Sequence, residues 1–199
     1  MTSSPSPRDG LSADRTATIM RAALDLAQEA GYAKLSIEGI ATRAGVGKHT
    51  IYRRWPSKGA VFLDALLSSI EDDLSFPYTG DIVADLRAQM TNAVNLLASP
   101  PYGQLYSALV GEAQHDPAVA KTLHERFIEP QWNRANDRLR VAQEEGQLSP
   151  ALDLDTVQGV LYGGYYIKLL LTPFPLSTKD VDKVLETVFE IGLHPPTQS

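Results

Sequence analysis

The sequence predicts an all-α fold in two parts, and three observations carry that expectation. Apolar residues recur at helical spacing through nearly every segment, and no segment sustains the period of two that a half-buried strand shows. The run Phe76-Pro77-Tyr78-Thr79-Gly80 is turn chemistry, and it divides a short head from a longer body. The expected plan is a loose arm over residues 1–13, a three-helix head over 14–60, a helical body over 61–194 and a frayed tail over 195–199, with about nine helices in all.

From Asp14 to Ala30, Ile19, Ala22, Ala23 and Leu26 fall at i, i+3, i+4 and i+7 and make one apolar stripe. Gly31 ends that helix, because glycine tolerates the positive φ of a helix terminus. Ser36 caps a second helix, on which Ile37, Ile40, Ala41 and Ala44 repeat the spacing until Gly45-Val46-Gly47 breaks it. A short third helix runs from Lys48 to Trp55 and stops at Pro56. Ser57 caps a fourth, with Val61, Phe62, Ala65, Leu66, Ser69 and Ile70 on one face. Helical segments follow at 81–98, 102–114, 117–145, 154–171 and 178–192, separated by Pro100-Pro101, Asp116-Pro117, Gly146 to Pro150 and Pro173 to Pro175. Pro130 lies inside the 117–145 stretch, so that helix is expected to kink or split there.

Composition narrows the class. Of 199 residues, 43% are hydrophobic, enough for a packed core and too many for a disordered chain. No apolar run reaches the roughly 18 residues a membrane span needs. The first ten residues, rich in Ser and Pro without an apolar stretch, do not read as a signal peptide. There is no cysteine, which excludes disulfides and thiolate chemistry, and a soluble cytoplasmic protein is expected. Net charge is −6, but it is unevenly held. Residues 1–60 carry nine Lys and Arg against five acids, and the remainder carries nine against nineteen. A basic head on an acidic body suits a protein that presents one end to phosphates.

Residue types at fixed offsets make the head specific. Ala41 is small enough for two helices to cross closely, Gly45 four residues on supplies a left-handed turn, and Ile51 six further on plugs the next helix against the last. That spacing is what a helix-turn-helix needs. The short helix from Lys48 is then the recognition helix, aimed N-terminus first into a major groove. Lys48, His49, Thr50, Arg53 and Arg54 are donors on a helix that needs only Ile51 and Trp55 for packing. Tyr52 offers a hydroxyl to a phosphate oxygen, and Gly47 lets the backbone come close to a duplex. Lys58 occupies a helix first turn, where the dipole favours an acid, so a phosphate contact accounts for it.

Residues 14–62 resemble the DNA-binding domain of the tetracycline-repressor (TetR) family. The resemblance rests on Ile19, Ala22-Ala23, Leu26, Gly31, Ser36, Ile40-Ala41, Ala44-Gly45-Val46, Ile51-Tyr52, Trp55 and Lys58. Two departures stand out: Arg54-Trp55 replaces the family's usual His-Phe, and Gly59-Ala60 stands where polar or acidic residues are usual. The resemblance implies that Thr42, Arg43, Tyr52 and Lys58 grip the DNA backbone, with Arg54 as a further phosphate donor. It also implies that Gly47, Lys48, His49, Thr50 and Arg53 face base edges. Arg53 has two targets open to it, a guanine or a phosphate.

The resemblance further implies that the body holds an effector cavity and a dimer interface. Val157 to Leu171 is uncharged until Lys168 and apolar all round, so it is expected to be buried on all sides. Val160, Gly163, Gly164, Ile167 and Leu171, with Val184, Leu185 and Val188 of the last helix, are the candidates for a four-helix interface about a two-fold axis. An intramolecular core helix is the alternative. Tyr102, Tyr106, Leu109, Leu123, Phe127, Trp132 and Tyr162 are candidate lining for an apolar or aromatic small-molecule effector, with Gln104, Gln114, His115 and Asn136 as polar anchors.

Other motifs fall away. Gly45-Val46-Gly47-Lys48 lacks the phosphate-loop frame, which would need Gly at Thr42 and Ser or Thr at His49. His49, His115, His124 and His194 have no metal-ligand spacing, so neither metal nor cofactor is expected. The expected function is a homodimeric transcription regulator that binds a palindromic operator in double-stranded DNA, with no membrane partner, and the resemblance implies a repressor released by its effector. The competing reading is an all-α enzyme or lipid-binding bundle with a vestigial helix-turn-helix, but no cluster of acid, base and nucleophile is visible in the body.

Overall fold

Helix α1 spans Pro7–Ala30 in the computed structural model, which describes residues 7–70 and 74–192. The arm expected over 1–13 is therefore helical from Pro7, a residue whose ring presets helical φ and whose missing N–H would be unpaired in the first turn anyway. Residues 1–6 and the expected tail at 195–199 lie outside the described residues. Gly31 ends α1 at φ 84°, its N–H bonding the Ala27 carbonyl at 2.9 Å. A 3₁₀ turn over Tyr32–Lys34, which the sequence pattern did not announce, leads to α2, Ile37–Ala44. The Ser36 hydroxyl accepts the Gly39 N–H at 3.1 Å, and Gly45 closes the helix at φ 66°.

Helix α3 is Lys48–Tyr52, shorter than expected. The Arg54 and Trp55 N–H groups both bond the Ile51 carbonyl at 2.9 Å, so the chain tightens into a turn before Pro56. Helix α4, Lys58–Ile70, opens on Ser57, whose hydroxyl accepts the Ala60 N–H at 3.2 Å. The remaining helices are α5 Ile82–Ala98, α6 Tyr102–Ala113, α7 Pro117–Leu123, α8 Glu129–Glu144, α9 Leu154–Leu171 and α10 Thr178–Gly192. Asp81, Asp116 and Asp153 cap α5, α7 and α9. The 117–145 stretch divides beside Pro130, which falls in the first turn of α8. A π-helical turn over His124–Ile128 joins α7 to α8 just ahead of it, and counting that stretch as one gives nine helices and no strand among the described residues.

The chain folds into two units. The first holds residues up to Ile70 together with Ala108–Arg126; the second holds Glu71–Ser107 and Phe127–Ser199. The expected boundary at residue 60 thus moves, because α4 packs on α1 and α7 with Ala60, Val61, Phe62 and Leu63 all buried. The first unit is centred on Ile19, Ala23, Ile40, Ile51, Trp55 and Phe62.

In the second unit α5, α8, α9 and α10 surround Leu86, Met90, Leu139, Leu161 and Leu185. Set into it is a buried ion pair: Arg138 donates to Asp85 from Nε and a terminal nitrogen, and Asp85 also accepts from the Thr79 N–H and hydroxyl. Helix α9 is not buried all round within its own chain. Val157, Gln158, Leu161 and Tyr165 face the core, whereas Val160, Ile167 and Leu171 are exposed, Leu171 to 78%. Among the described residues no helix is long and apolar enough to cross a membrane.

Candidate nucleic-acid interface

The footing of α3 explains why its other side is free. Ile51 is fully buried and Trp55 is 1% exposed, so these two anchor the segment to the first unit. The Trp55 indole N–H donates to Asp64 on α4 at 2.6 Å, and the same carboxylate oxygen takes the Arg126 guanidinium. Ala41 is buried where α2 meets α3, as a close crossing requires. With packing assigned to so few residues, Lys48, His49 and Tyr52 stand in solvent, Tyr52 at 54% exposure, while Thr50 is half-buried.

All ten residues named for DNA contact lie in the first unit. Thr42, Arg43, Gly47, Lys48, His49, Tyr52, Arg53 and Arg54 are exposed, and Thr50 and Lys58 are half-buried. The His49 ring lies back against Gly47, so close that a Cβ on Gly47 would stand 3.0 Å from Nδ1. The His49 side chain is exposed and can turn aside, and a φ of −75° suits any residue, so neither the contact nor the backbone by itself requires glycine at 47.

The cations differ in what holds them. Arg43 grips Glu29 through two bonds, at 2.9 and 2.6 Å, and this keeps the Glu29 carboxyl below its ordinary range and the guanidinium above its own. Lys48 donates to Glu38 at 2.6 Å, with the same opposed displacements. Arg54 donates to the Thr16 hydroxyl at 2.8 Å and lies 5.5 Å from the centre of the Trp55 ring. Lys58 stands 4.9 Å over the Tyr32 ring and 3.5 Å from Glu112. The acid expected to suit that helix terminus is thus supplied from α6. Beside it the Tyr32 hydroxyl is buried without a hydrogen bond, and burial, reinforced by Glu112, pushes its pKa far up. Arg53 alone among these cations has no side-chain partner among the described residues.

Sequence reasoning had singled out the bases and missed the acids. Glu29 and Arg43 are 14 residues apart and Glu38 and Lys48 are 10, so neither pair shows as a local motif. The only available signal was that five acids sit within an otherwise basic head.

The residues expected around an effector are drawn from both units. Tyr102, Tyr106, Phe127, Trp132 and Tyr162 belong to the second unit, whereas Leu109, fully buried, and His115, exposed, belong to the first. Within the second unit, Tyr106 meets Phe127 edge-on at 5.6 Å and shares a 3.3 Å hydroxyl contact with Tyr166, a ring the sequence reading did not name. Tyr162 donates to Gln89 at 2.9 Å. Trp132 is committed to Asp155, which also accepts from Asn136. Of the interface candidates, Val160, Gly164, Ile167 and Leu171 are exposed and Gly163 is half-buried. Leu185 is a correction: it lies in the core of its own chain, with Val184 and Val188 packed half-buried against that core, because this face of α10 is spent on α5 and α9.

Comparison with known proteins agrees over both parts of the chain. Residues 19–65 match the family model of bacterial regulatory proteins, tetR family, and residues 76–188 match that of the tetracyclin repressor-like C-terminal domain. The uncharacterized HTH-type transcriptional regulator YdeS of Bacillus subtilis (strain 168) is 35% identical over 172 residues, 86% of each chain. The crystal structure of the TetR family transcription regulator SCO0332 superposes with a TM-score of 0.81 at 34% identity, over 92% of this chain and 100% of that one. FadR from Bacillus subtilis, solved in complex with stearoyl-CoA, shares the fold at a TM-score of 0.63 and 18% identity, over 89% of this chain and 98% of its own. With matches that run through head and body alike, the chain belongs to the tetracycline-repressor family of DNA-binding bacterial transcription regulators.

Proposed function

We propose that this regulator is a homodimeric, cytoplasmic repressor that occludes a palindromic operator and leaves it on binding a small apolar or aromatic effector. The observation that carries the DNA half of this reading is the division of labour on α3. Ile51 and Trp55 hold the segment, Thr50 is half-buried, and Lys48, His49, Tyr52, Arg53 and Arg54 are left to solvent. Thr42, Arg43, Tyr52, Arg54 and Lys58 then set register on the phosphates, and Lys48, His49, Thr50 and Arg53 read base edges next to Gly47.

The exposed stripe of Val160, Gly164, Ile167 and Leu171 on α9 supports the dimer, since those positions repeat on one helical face and leave large apolar groups in water. A two-fold pair would place its recognition helices about 34 Å apart, or a multiple, to meet successive turns of one duplex face. The effector reading rests on the neutral rings of Tyr106, Phe127 and Tyr162, and is supported by FadR, a neighbour of the same fold solved in complex with stearoyl-CoA.

The deciding experiment is selection of fragments bound from genomic DNA, followed by footprinting of the recovered site. A two-fold symmetric footprint is expected, and Arg53→Ala should alter which sequences are recovered. Recovery of unrelated fragments without symmetry would sink the operator reading. A thermal-shift screen of neutral aromatic and acyl compounds tests the effector separately.

A further inference from the structure

Two carboxylates of the first unit stand on cations that the proposed interface offers to DNA. Glu38, in the first turn of α2, receives Lys48, and Glu29, near the end of α1, receives Arg43. Both pairs are open to water: Lys48 and Glu38 are 55% and 61% exposed, Arg43 and Glu29 39% and 57%. Exposed ion pairs of this kind add little to folding stability, so the fold does not account for four charged side chains held this way. For binding, however, they matter. A phosphate that approaches Lys48 or Arg43 must displace a carboxylate or approach a second negative charge.

We infer that Glu38 and Glu29 are specificity-determining residues, acting through Lys48 and Arg43, that hold down affinity for random-sequence DNA; this rests on the reading of α3 as the DNA-facing helix. The physical asymmetry is direct. Non-specific binding is almost wholly the release of counterions by cation–phosphate contacts, whereas operator binding adds base contacts, and those of His49, Thr50 and Arg53 do not depend on Lys48 or Arg43. Holding Lys48 and Arg43 on carboxylates therefore takes a larger share from random binding than from operator binding. Arg53, without a side-chain partner among the described residues, and Arg54, which meets the neutral Thr16 hydroxyl and the Trp55 ring, are left to the duplex.

The test uses the full chain. Glu38→Gln and Glu29→Gln are compared with wild type on a random-sequence duplex and on the selected operator, over a series of salt concentrations. Each variant should bind random DNA several-fold tighter at low salt, with a salt slope steeper by up to about 0.9 for each cation released. The ratio of operator to random affinity should fall. In a Glu38→Gln/Lys48→Gln double variant the gain should vanish. Glu125→Gln is the control for net charge, since it removes an equal charge from the same unit, where Glu125 pairs with Lys121 at 3.7 Å. Unchanged salt slopes in both variants, or an equal gain from Glu125→Gln, would overturn the inference. A wild-type protein that binds no duplex at all would sink the DNA reading and this inference with it.

Discussion

Arg138 donates two hydrogen bonds, at 2.9 and 2.6 Å, to a single oxygen of Asp85, and neither side chain reaches the surface of the second unit to any useful extent. Burial alone would raise the Asp85 pKa; the hydrogen bonds from Thr79 and the Arg138 charge outweigh it and hold the carboxyl below its ordinary 3.8. Arg138→Met should leave a buried, half-compensated carboxylate and destabilise the protein by about 3–5 kcal/mol in urea unfolding. Replacing both partners by apolar residues should recover most of that loss. Because the folded pKa is depressed, the stabilisation is complete above 3.8 and is lost as pH falls below that value through the folded pKa. Arg138→Met should therefore flatten the acid limb of a pH-stability curve.

Trp55 fills a site where a phenylalanine would be the family's usual choice, and its indole N–H has found Asp64 at 2.6 Å. Trp55→Phe keeps an aromatic plug and deletes that bond. The expected cost is about 1.5–3 kcal/mol, since the acceptor is charged. Asp64 keeps Arg126, so it is not orphaned, and the loss should not greatly exceed that range in thermal or urea denaturation.

Gly103 sits at the start of α6, where a Cβ would run into the Leu97 carbonyl oxygen. Backbone, not a flexible side-chain tip, is in the way. Gly103→Ala should cost on the order of 1–3 kcal/mol or more by forcing the α5–α6 turn apart, which a lowered melting temperature would register. Gly163→Ala, with open space around its Cβ, should be neutral or slightly stabilising to the isolated chain.

Ile167 and Leu171 are 54% and 78% exposed on the outer face of α9. Ile167→Glu together with Leu171→Glu should yield monomers in sedimentation while far-ultraviolet dichroism stays unchanged. Operator affinity should fall steeply, because two half-sites are no longer held together. A variant that remains dimeric would remove α9 from the interface.

The parts of the fold that were legible in the sequence are those set by neighbours along the chain. Ser36, Gly31, Gly45 and Ser57 act on backbone groups two to four residues away, and each ends or begins a helix where its type predicts. The Ala41, Gly45 and Ile51 spacing located the helix-turn-helix for the same reason. What could not be read is set by contacts across the chain. Asp85 and Arg138 are 53 residues apart, and nothing local marks either as a core residue. Periodicity shows that α10 has an apolar face but not what that face meets, so Leu185 passed for interface when it belongs to the core. Likewise the apolar girdle of α9 gave no sign of which half its own chain would cover.

On α3 only Ile51 is fully spent on holding the protein together. On the function proposed above, the residues that choose a binding sequence and those that secure the fold are therefore largely separate sets. A duplicated gene can change the former at little risk to the latter, so this segment is free to drift toward new genomic addresses while its scaffold stays as it was inherited.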